Sequence, residues 1–262
     1  MSRCQEKAPI LRNTRLQGSY YRVDVRAPGI APQVRPGQFV HVQLPAFEHR
    51  VLRRPFSVFS TEPTAGTLSI IYKIVGEGTA HLARLSEGAV LDMMGPLGNG
   101  YTDPPGGYRP IVVAGGYGCA ATYLFVRRSP VPCLVCLGGR SAEDLLLVDE
   151  FQALGAEVRL ATDDGSRGHR GVVTDLLAGA LEQTPQPWVV ACGPNPMLKA
   201  VCRIVAARAL EAEVSLDHAM CCGVGACFAC VVKMKAANAD GWEYVRTCLS
   251  GPVFPASQVV WD

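Results

Sequence analysis

Short runs in which apolar and polar side chains alternate dominate the first 105 residues: "YYRVDVRAP" (20–28), "GQFVHVQL" (37–44) and "GTLSIIYKIV" (66–75), separated by Pro and Gly clusters. A period of two with little helical periodicity between runs predicts strands, and several short strands in succession predict a small antiparallel barrel of Greek-key type. The pattern changes after the turn-rich "YTDPPGGYRP" (101–110). From there, continuous apolar runs alternate with helical stretches. "IVVAGG" precedes "CAATYLFVRR", "PCLVCLGG" precedes "SAEDLLLVDEFQAL", "EVRLATDDG" precedes "VVTDLLAGALEQ", and "WVVACGP" precedes "NPMLKAVCRIVAARAL". Strand–helix alternation of this kind predicts a doubly wound parallel sheet. A last strand, "EAEVSL" (211–216), leads into a tail with neither period. The chain therefore divides into a β barrel (1–105), an α/β domain (106–213) and a small C-terminal domain (214–262).

A chain of 262 residues is long enough for two cores. A formal charge of +2 with no dense Lys/Arg tract argues against nucleic acid as a partner. The longest uncharged stretch is too short to span a bilayer, and the N-terminus lacks the apolar core of a signal peptide. A cytoplasmic location is expected, where disulfides are rare. The eleven cysteines then read as thiols or ligands, and five of them fall within 221–248.

In that tail, "MCCGVGACFACVVKM" (220–234) places Cys222, Cys227 and Cys230 at x4 and x2 spacing, and Cys248 follows. This is the plant-type spacing of a [2Fe–2S] cluster, in which four thiolates hold two irons. Small residues between the cysteines let the backbone wrap closely. Zinc is the rival, but zinc motifs pair two knuckles and Cys248 has no second cysteine nearby. Cys221 gives an x5 spacing and is read as a neighbour, not a ligand. Cys133 and Cys136 lie on a predicted strand, where positions three apart face opposite ways, so both are assigned to the core with Cys119 and Cys202. None of the five histidines has a carboxylate or cysteine at catalytic spacing, so no acid–base role and no catalytic residue is assigned.

Two strand-to-helix turns carry a weaker signal. "AGGYGCA" (114–120) offers backbone N–H groups of Gly116 and Gly118 to a dinucleotide pyrophosphate. "ACGPNPML" (191–198) puts Cys192 and Gly193 at a strand's carboxyl end, where open α/β sheets bind ligands. The acidic residue that selects NAD by its ribose is not evident after the second strand, which ends at Arg140; Asp163 and Asp164 lie in a further loop. In the barrel half, "LRRPFSVFS" (52–60) supplies an arginine for a phosphate (Arg54), a proline that fixes a turn (Pro55), Phe56, and a serine for a flavin edge (Ser57). "GPLGNGY" (95–101) offers glycines for close approach to a ligand.

Taken in order, "RRPFS", "IYK…GEGT", "GPLGNGY", "AGGYG", "ACGPNPM" and "CCGVGACFACVV…CLSGPVF" resemble the ferredoxin reductase superfamily. More closely, nearly the whole chain resembles the electron-transfer subunits of type B, NAD-dependent dihydroorotate dehydrogenases, and the tail is the most specific part of that resemblance. The resemblance implies an FAD-binding barrel, an NAD-binding α/β domain and a C-terminal [2Fe–2S] domain. It implies that Arg54, Pro55, Phe56, Ser57, Ile71, Tyr72, Lys73, Gly78 and Thr79 meet FAD, and that Cys222, Cys227, Cys230 and Cys248 ligate the cluster. It further implies an FMN-bearing dihydroorotate dehydrogenase catalytic subunit as partner, in a heterotetramer of two copies of each, serving pyrimidine biosynthesis. A flavin is needed because NAD accepts hydride whereas a cluster passes single electrons. Two alternatives stand beside this reading. One is a related subunit of a hydrogenase or a ferredoxin:NADP transhydrogenase; the other is a zinc-stabilised binding protein. Cys221, Leu249 and Ser250 depart from the family pattern, which has alanine and an acidic pair there.

Overall fold

The computed structural model describes residues 4–47, 50–216 and 219–261. Seven antiparallel strands build the N-terminal part: β1 (Cys4–Arg15), β2 (Tyr20–Arg26), β3 (Phe39–Gln43), β4 (Arg54–Ser57), β5 (Ser60–Glu62), β6 (Thr67–Lys73) and β7 (Val90–Leu97). Their order is β4-β3-β7-β1-β2-β6-β5, so the last strand returns between β1 and β3 in Greek-key fashion. One face is a closed apolar core that includes Ile10, Val23, Val25, Val40, Val42, Ile70, Leu91 and Met93. β4 packs back against β6, where the Phe56 and Tyr72 rings meet edge to face at 6.1 Å. A short helix, α1 (Glu77–Leu82), caps this end.

The α/β part contains β8 (Arg109–Gly115), α2 (Gly118–Arg128), β9 (Leu134–Gly139), α3 (Val148–Ala153), β10 (Glu157–Thr162), β11 (His169–Arg170), α4 (Val173–Gln183), β12 (Pro187–Cys192), α5 (Asn195–Ala206) and β13 (Ala212–Ser215). The tail adds β14 (Val231–Lys235), β15 (Trp242–Arg246), α6 (Thr247–Ser250) and β16 (Val253–Pro255). The second sheet runs β11-β10-β9-β8-β12-β13-β16, parallel except for its last strand. Order reverses between β8 and β12, which makes the crevice at their carboxyl ends the topological switch point. Both faces are covered: Cys136 belongs to one apolar cluster and Cys133 to the other, as alternate strand faces require. Cys119 on α2 and Cys202 on α5 are buried in the same clusters.

Four expectations are corrected. The helix expected over "SAEDLLLVDEFQAL" survives only as α3; a 3₁₀ turn at Ala142–Asp144 and Leu147 at φ 60° precede it, because Leu145, Leu146 and Leu147 are all buried and no single helical face presents three consecutive residues to one core. Pro55 does not form a turn: it lies in β4, an edge strand, where its missing N–H costs no ladder bond. The glycines of "GPLGNGY" admit protein, not a ligand, since a Cβ on Gly98 would meet the Gly251 carbonyl and one on Gly100 the Pro36 carbonyl. The C-terminal segment does not stand wholly apart, because β16 pairs with β13 and so joins the α/β sheet. Among the described residues no helix is long and apolar enough to cross a membrane.

Candidate functional site

At the switch point a cleft of about 690 Å³ opens between the β8–α2 and β12–α5 turns. Gly116, Gly118, Cys192 and Gly193 all line it, so the two turns singled out in the sequence converge. They touch closely enough that a Cβ on Gly118 would collide with the Cys192 carbonyl. Glycine at 118 is therefore required by proximity. Arg140 and Asp163 lie on the opposite wall. Asp164 turns away: it accepts from the Ser166 amide and hydroxyl at 2.9 and 2.6 Å and closes its own loop. Sequence patterns gave no hint of Asp144 here. It accepts from Tyr20 Oη at 2.9 Å, Lys73 Nζ at 3.3 Å and Arg140 Nε at 3.3 Å, and links the barrel to the α/β part. Burial pulls its carboxyl upward, but these donors win and hold it below the ordinary value.

A second cleft of about 240 Å³ adjoins the first, and Lys73, Tyr117, Gly118 and Cys192 line both. Arg54, Pro55, Phe56, Ser57, Ile71, Tyr72, Lys73 and Thr79 all border it. Gly78 does not, but a Cβ there would fall 2.7 Å from Arg54 Nε, so its bareness lets the guanidinium lie against α1. Arg54 also donates to the Leu52 carbonyl at 2.5 Å and lies 4.9 Å from the centre of the Phe47 ring. Thr79 Oγ1 accepts from the Val75 and Gly76 amides at 2.9 and 3.2 Å and shapes the turn before α1. Ile71 faces the α/β part, whereas Tyr72 turns into the barrel core and donates to Asn13 Oδ1 at 3.1 Å. The far wall holds Phe39, Leu216, Met220 and Pro252, none of them identified in the sequence reading.

Phe39 and Met220 carry the site onward. Both pack with Leu97, Met94 and Leu249 around the sulfurs of Cys230 and Cys248. Cys222 lies beside Cys227, and Cys230 beside Cys248. Burial raises the Cys222 thiol, yet the Val224, Cys227 and Ala226 amides and the Cys227 thiol together lower it to about 6. The Ala226 N–H donates to Cys222 Sγ at 3.3 Å. Gly223 and Gly225 sit at φ 68° and 86°, the left-handed backbone that turns these amides inward. Burial pushes Cys248 up to about 12, helped by the Cys230 sulfur that accepts its proton. Cys221 also reaches the Cys227 thiol and is itself pushed up, by desolvation first and then by its cysteine neighbours.

These donors fit a two-iron cluster: two thiol pairs, backbone N–H groups aimed at sulfur, and two deeply buried members. A single zinc ion fits less well, because zinc motifs pair two knuckles and Cys248 has no second cysteine near it in the chain. All eleven cysteines are unbridged in this structure.

His41 is the residue sequence reasoning missed most completely. It lies on β3, fully buried, and among the described residues neither ring nitrogen has a hydrogen-bond partner. Burial, with the Arg53 charge, lowers its pKa to about 4. The signal was present in "GQFVHVQL": Phe39 and His41 stand at alternate positions on the face opposite Val40 and Val42, so neither face of β3 is plainly polar.

Comparison with known proteins gives this arrangement a lineage. A family model described as the iron–sulfur cluster binding domain of dihydroorotate dehydrogenase B matches residues 217–260, and one described as an oxidoreductase FAD-binding domain matches residues 5–101. The dihydroorotate dehydrogenase B (NAD(+)) electron transfer subunit of Desulforamulus reducens is 38% identical over 245 residues, which covers 92% of this chain and 93% of that one. The same subunit of Bacillus caldolyticus is 40% identical over 232 residues, covering 86% and 87%. A solved NADH-dependent reduced ferredoxin-NADP oxidoreductase, described for flavin-based electron bifurcation, superposes with a TM-score of 0.83 at 29% identity, covering 97% of this chain and 90% of that one. A flavin-type barrel, a dinucleotide-type sheet and a four-thiol loop occur here in one chain that is similar to these subunits over most of its length, and the chain belongs to the family of dihydroorotate dehydrogenase B (NAD(+)) electron transfer subunits.

Proposed function

We propose that this chain carries electrons between an FMN-bearing dihydroorotate dehydrogenase catalytic subunit and NAD, with the residues of its two clefts and its thiol loop in assigned roles. One observation carries the assignment: the first cleft, the second cleft and the thiol loop stand in a row, joined by Gly118 and Cys192 at one junction and by Phe39 and Met220 at the other. Gly116, Gly118, Cys192 and Gly193 border the nicotinamide nucleotide. Arg54, Pro55, Phe56, Ser57, Ile71, Tyr72, Lys73 and Thr79 border the flavin, with Gly78 behind Arg54. Cys222, Cys227, Cys230 and Cys248 hold the iron. FAD supplies the exchange between hydride and single electrons that this order demands.

The side chains divide the work by chemistry. Arg54 offers a fixed positive charge for a phosphate. Phe39 and Met220 exclude water between the second cleft and the buried sulfurs of Cys230 and Cys248. At the opposite side of the loop Val224 and Phe228 are 37% and 61% exposed, and the Arg246 guanidinium lies 4.5 Å from the centre of the Phe228 ring. This face suits a partner that receives or delivers single electrons at short range. Two copies of each subunit would form the complete enzyme. Eleven unbridged cysteines suit a reducing cytoplasm.

The purified chain is expected to reduce artificial dyes with NADH and to leave dihydroorotate untouched. Adding the FMN-bearing subunit should create dihydroorotate-dependent NAD reduction. Oxidation of dihydroorotate by this chain alone would overturn the division of roles. A second reading is favoured by the solved ferredoxin-NADP oxidoreductase: an electron-transfer subunit of a transhydrogenase. Dye reduction without coupling to the FMN-bearing subunit would select it.

A further inference from the structure

Among the described residues the buried His41 ring finds no hydrogen-bond acceptor. It sits on β3 opposite Pro55 of β4 on one side and Met94 of β7 on the other. Its ring therefore belongs to the layer between the flavin-side strand and the thiol loop. A Cβ on Gly223 would fall 2.7 Å from His41 Nδ1 and 3.0 Å from Cε1, so the ring edge lies directly against the residue that follows Cys222. Phe39, two residues away on the same face, meets the His41 ring edge to face at 6.2 Å and packs against Cys230 and Cys248. Phe39 and the Gly223 backbone thus lie against the ring, with the Arg53 charge within electrostatic range.

A neutral imidazole buried with no partner bears the desolvation cost of its polar atoms uncompensated. Leucine, methionine or phenylalanine would fill the same volume without that cost. A histidine is compatible with this place if something absent from the polypeptide accepts its N–H. Thiolate and sulfide sulfurs are weak but real acceptors, and hydrogen bonds to sulfur are among the determinants of an iron–sulfur centre's potential.

We propose that His41 is a positioning residue for the cluster, donating a ring N–H hydrogen bond into its sulfur shell on the Cys222 side. The proposal rests on the cluster reading above. The bond draws electron density from sulfur and favours the reduced form. It also ties the thiol loop to the strand that pairs with the flavin-side strand β4. A second consequence is that Gly223 must remain glycine, since any side chain would push the ring out of reach.

The test uses the holoprotein with selectively ¹⁵N-labelled histidine, reduced by one electron and examined by pulsed electron paramagnetic resonance. Iron and sulfide content and the reduced-cluster signal first establish that a [2Fe–2S] centre is present; their absence would defeat the cluster reading itself. With the centre present, a histidine ¹⁵N coupling is expected, lost in His41→Gln and His41→Phe. The midpoint potential should move negative in His41→Phe, so that the reduced-to-oxidised ratio at a fixed poise falls several-fold. His41→Gln, which keeps an N–H donor, should recover part of that shift. A wild-type spectrum with no histidine coupling overturns the proposal, even where a solvent-exchangeable proton is seen, because a buried water would then be the donor. An unchanged potential in an iron-replete His41→Phe protein overturns it as well. Should His41→Phe fail to load iron, the wild-type and His41→Gln spectra decide.

Discussion

Phe39 on β3 packs against Cys248 of the C-terminal segment, although 209 positions separate them, and the same phenylalanine lines the second cleft. The barrel and the thiol loop thus share one wall, and Phe39 with Met220 bridges the second cleft and the buried sulfurs. Truncation to alanine in such a packed site destabilises by about 3–5 kcal/mol. Phe39→Ala should lower the thermal midpoint of the holoprotein and release iron on heating before wild type does. A thermal melt followed at cluster and flavin wavelengths reads both; an unaltered melt would remove Phe39 from the shared wall.

The x4 and x2 spacing makes a sharp distinction among the five cysteines of the tail. Serine at Cys222, Cys227, Cys230 or Cys248 should bleach visible absorption and lower iron content. Cys221→Ser should retain both, although Cys221 also reaches Cys227. Loss of iron in Cys221→Ser with retention in Cys222→Ser would shift the ligand register by one.

Arg54 lies along α1 with its guanidinium at the edge of the second cleft. Charge-assisted contacts of this kind contribute about 1.5–3 kcal/mol, so Arg54→Ala should weaken FAD binding by about 10- to 150-fold. Flavin fluorescence on serial dilution measures it. Undiminished retention would show that the arginine serves only its local carbonyls.

Gly118 and the Cys192 carbonyl leave no room for a methyl group. Gly118→Ala should push the two turns apart and impair both clefts at once, raising the NADH concentration needed for half-maximal dye reduction by about tenfold or more, in line with a loss of at least 1.4 kcal/mol. Steady-state kinetics on flavin-replete protein provide the measurement, and an unchanged KM would contradict the close approach.

Asp144 joins both parts of the molecule through Tyr20, Lys73 and Arg140, and its carboxyl is held below the ordinary value despite burial. The folded chain therefore binds this proton less tightly than the unfolded one. The stability it contributes is present above the unfolded carboxyl pKa of about 3.9 and is lost as pH falls through the lower folded value. Asp144→Asn should cost about 1 kcal/mol at neutral pH. It should also flatten the loss of stability between wild type at pH 5 and pH 3. Denaturation midpoints across that range test the sign.

The amino-acid order alone determined the three-part architecture, because each part has a distinct period: two in the barrel, alternating strand and helix in the middle, and glycine with cysteine in the tail. It also pointed to the chemistry of the thiol loop, since the x4 and x2 spacing of Cys222, Cys227 and Cys230 is local, whereas folding brings Cys248 beside them. Local steric rules likewise separated Cys133 from Cys136 before any packing was known. What the tertiary structure decided is everything that depends on pairs far apart in the chain. The break in "SAEDLLLVDEFQAL" follows from three leucines that must all be buried, a demand of the neighbouring core and not of helix propensity. Asp144 became a connector because Tyr20 and Lys73, on two barrel strands, come to face it. His41 and Phe39 looked like one side of an ordinary strand until the C-terminal loop folded over them. Periodicity reports which face of an element is covered, whereas the identity of what covers it is set by non-local packing, and the site lies where such faces meet.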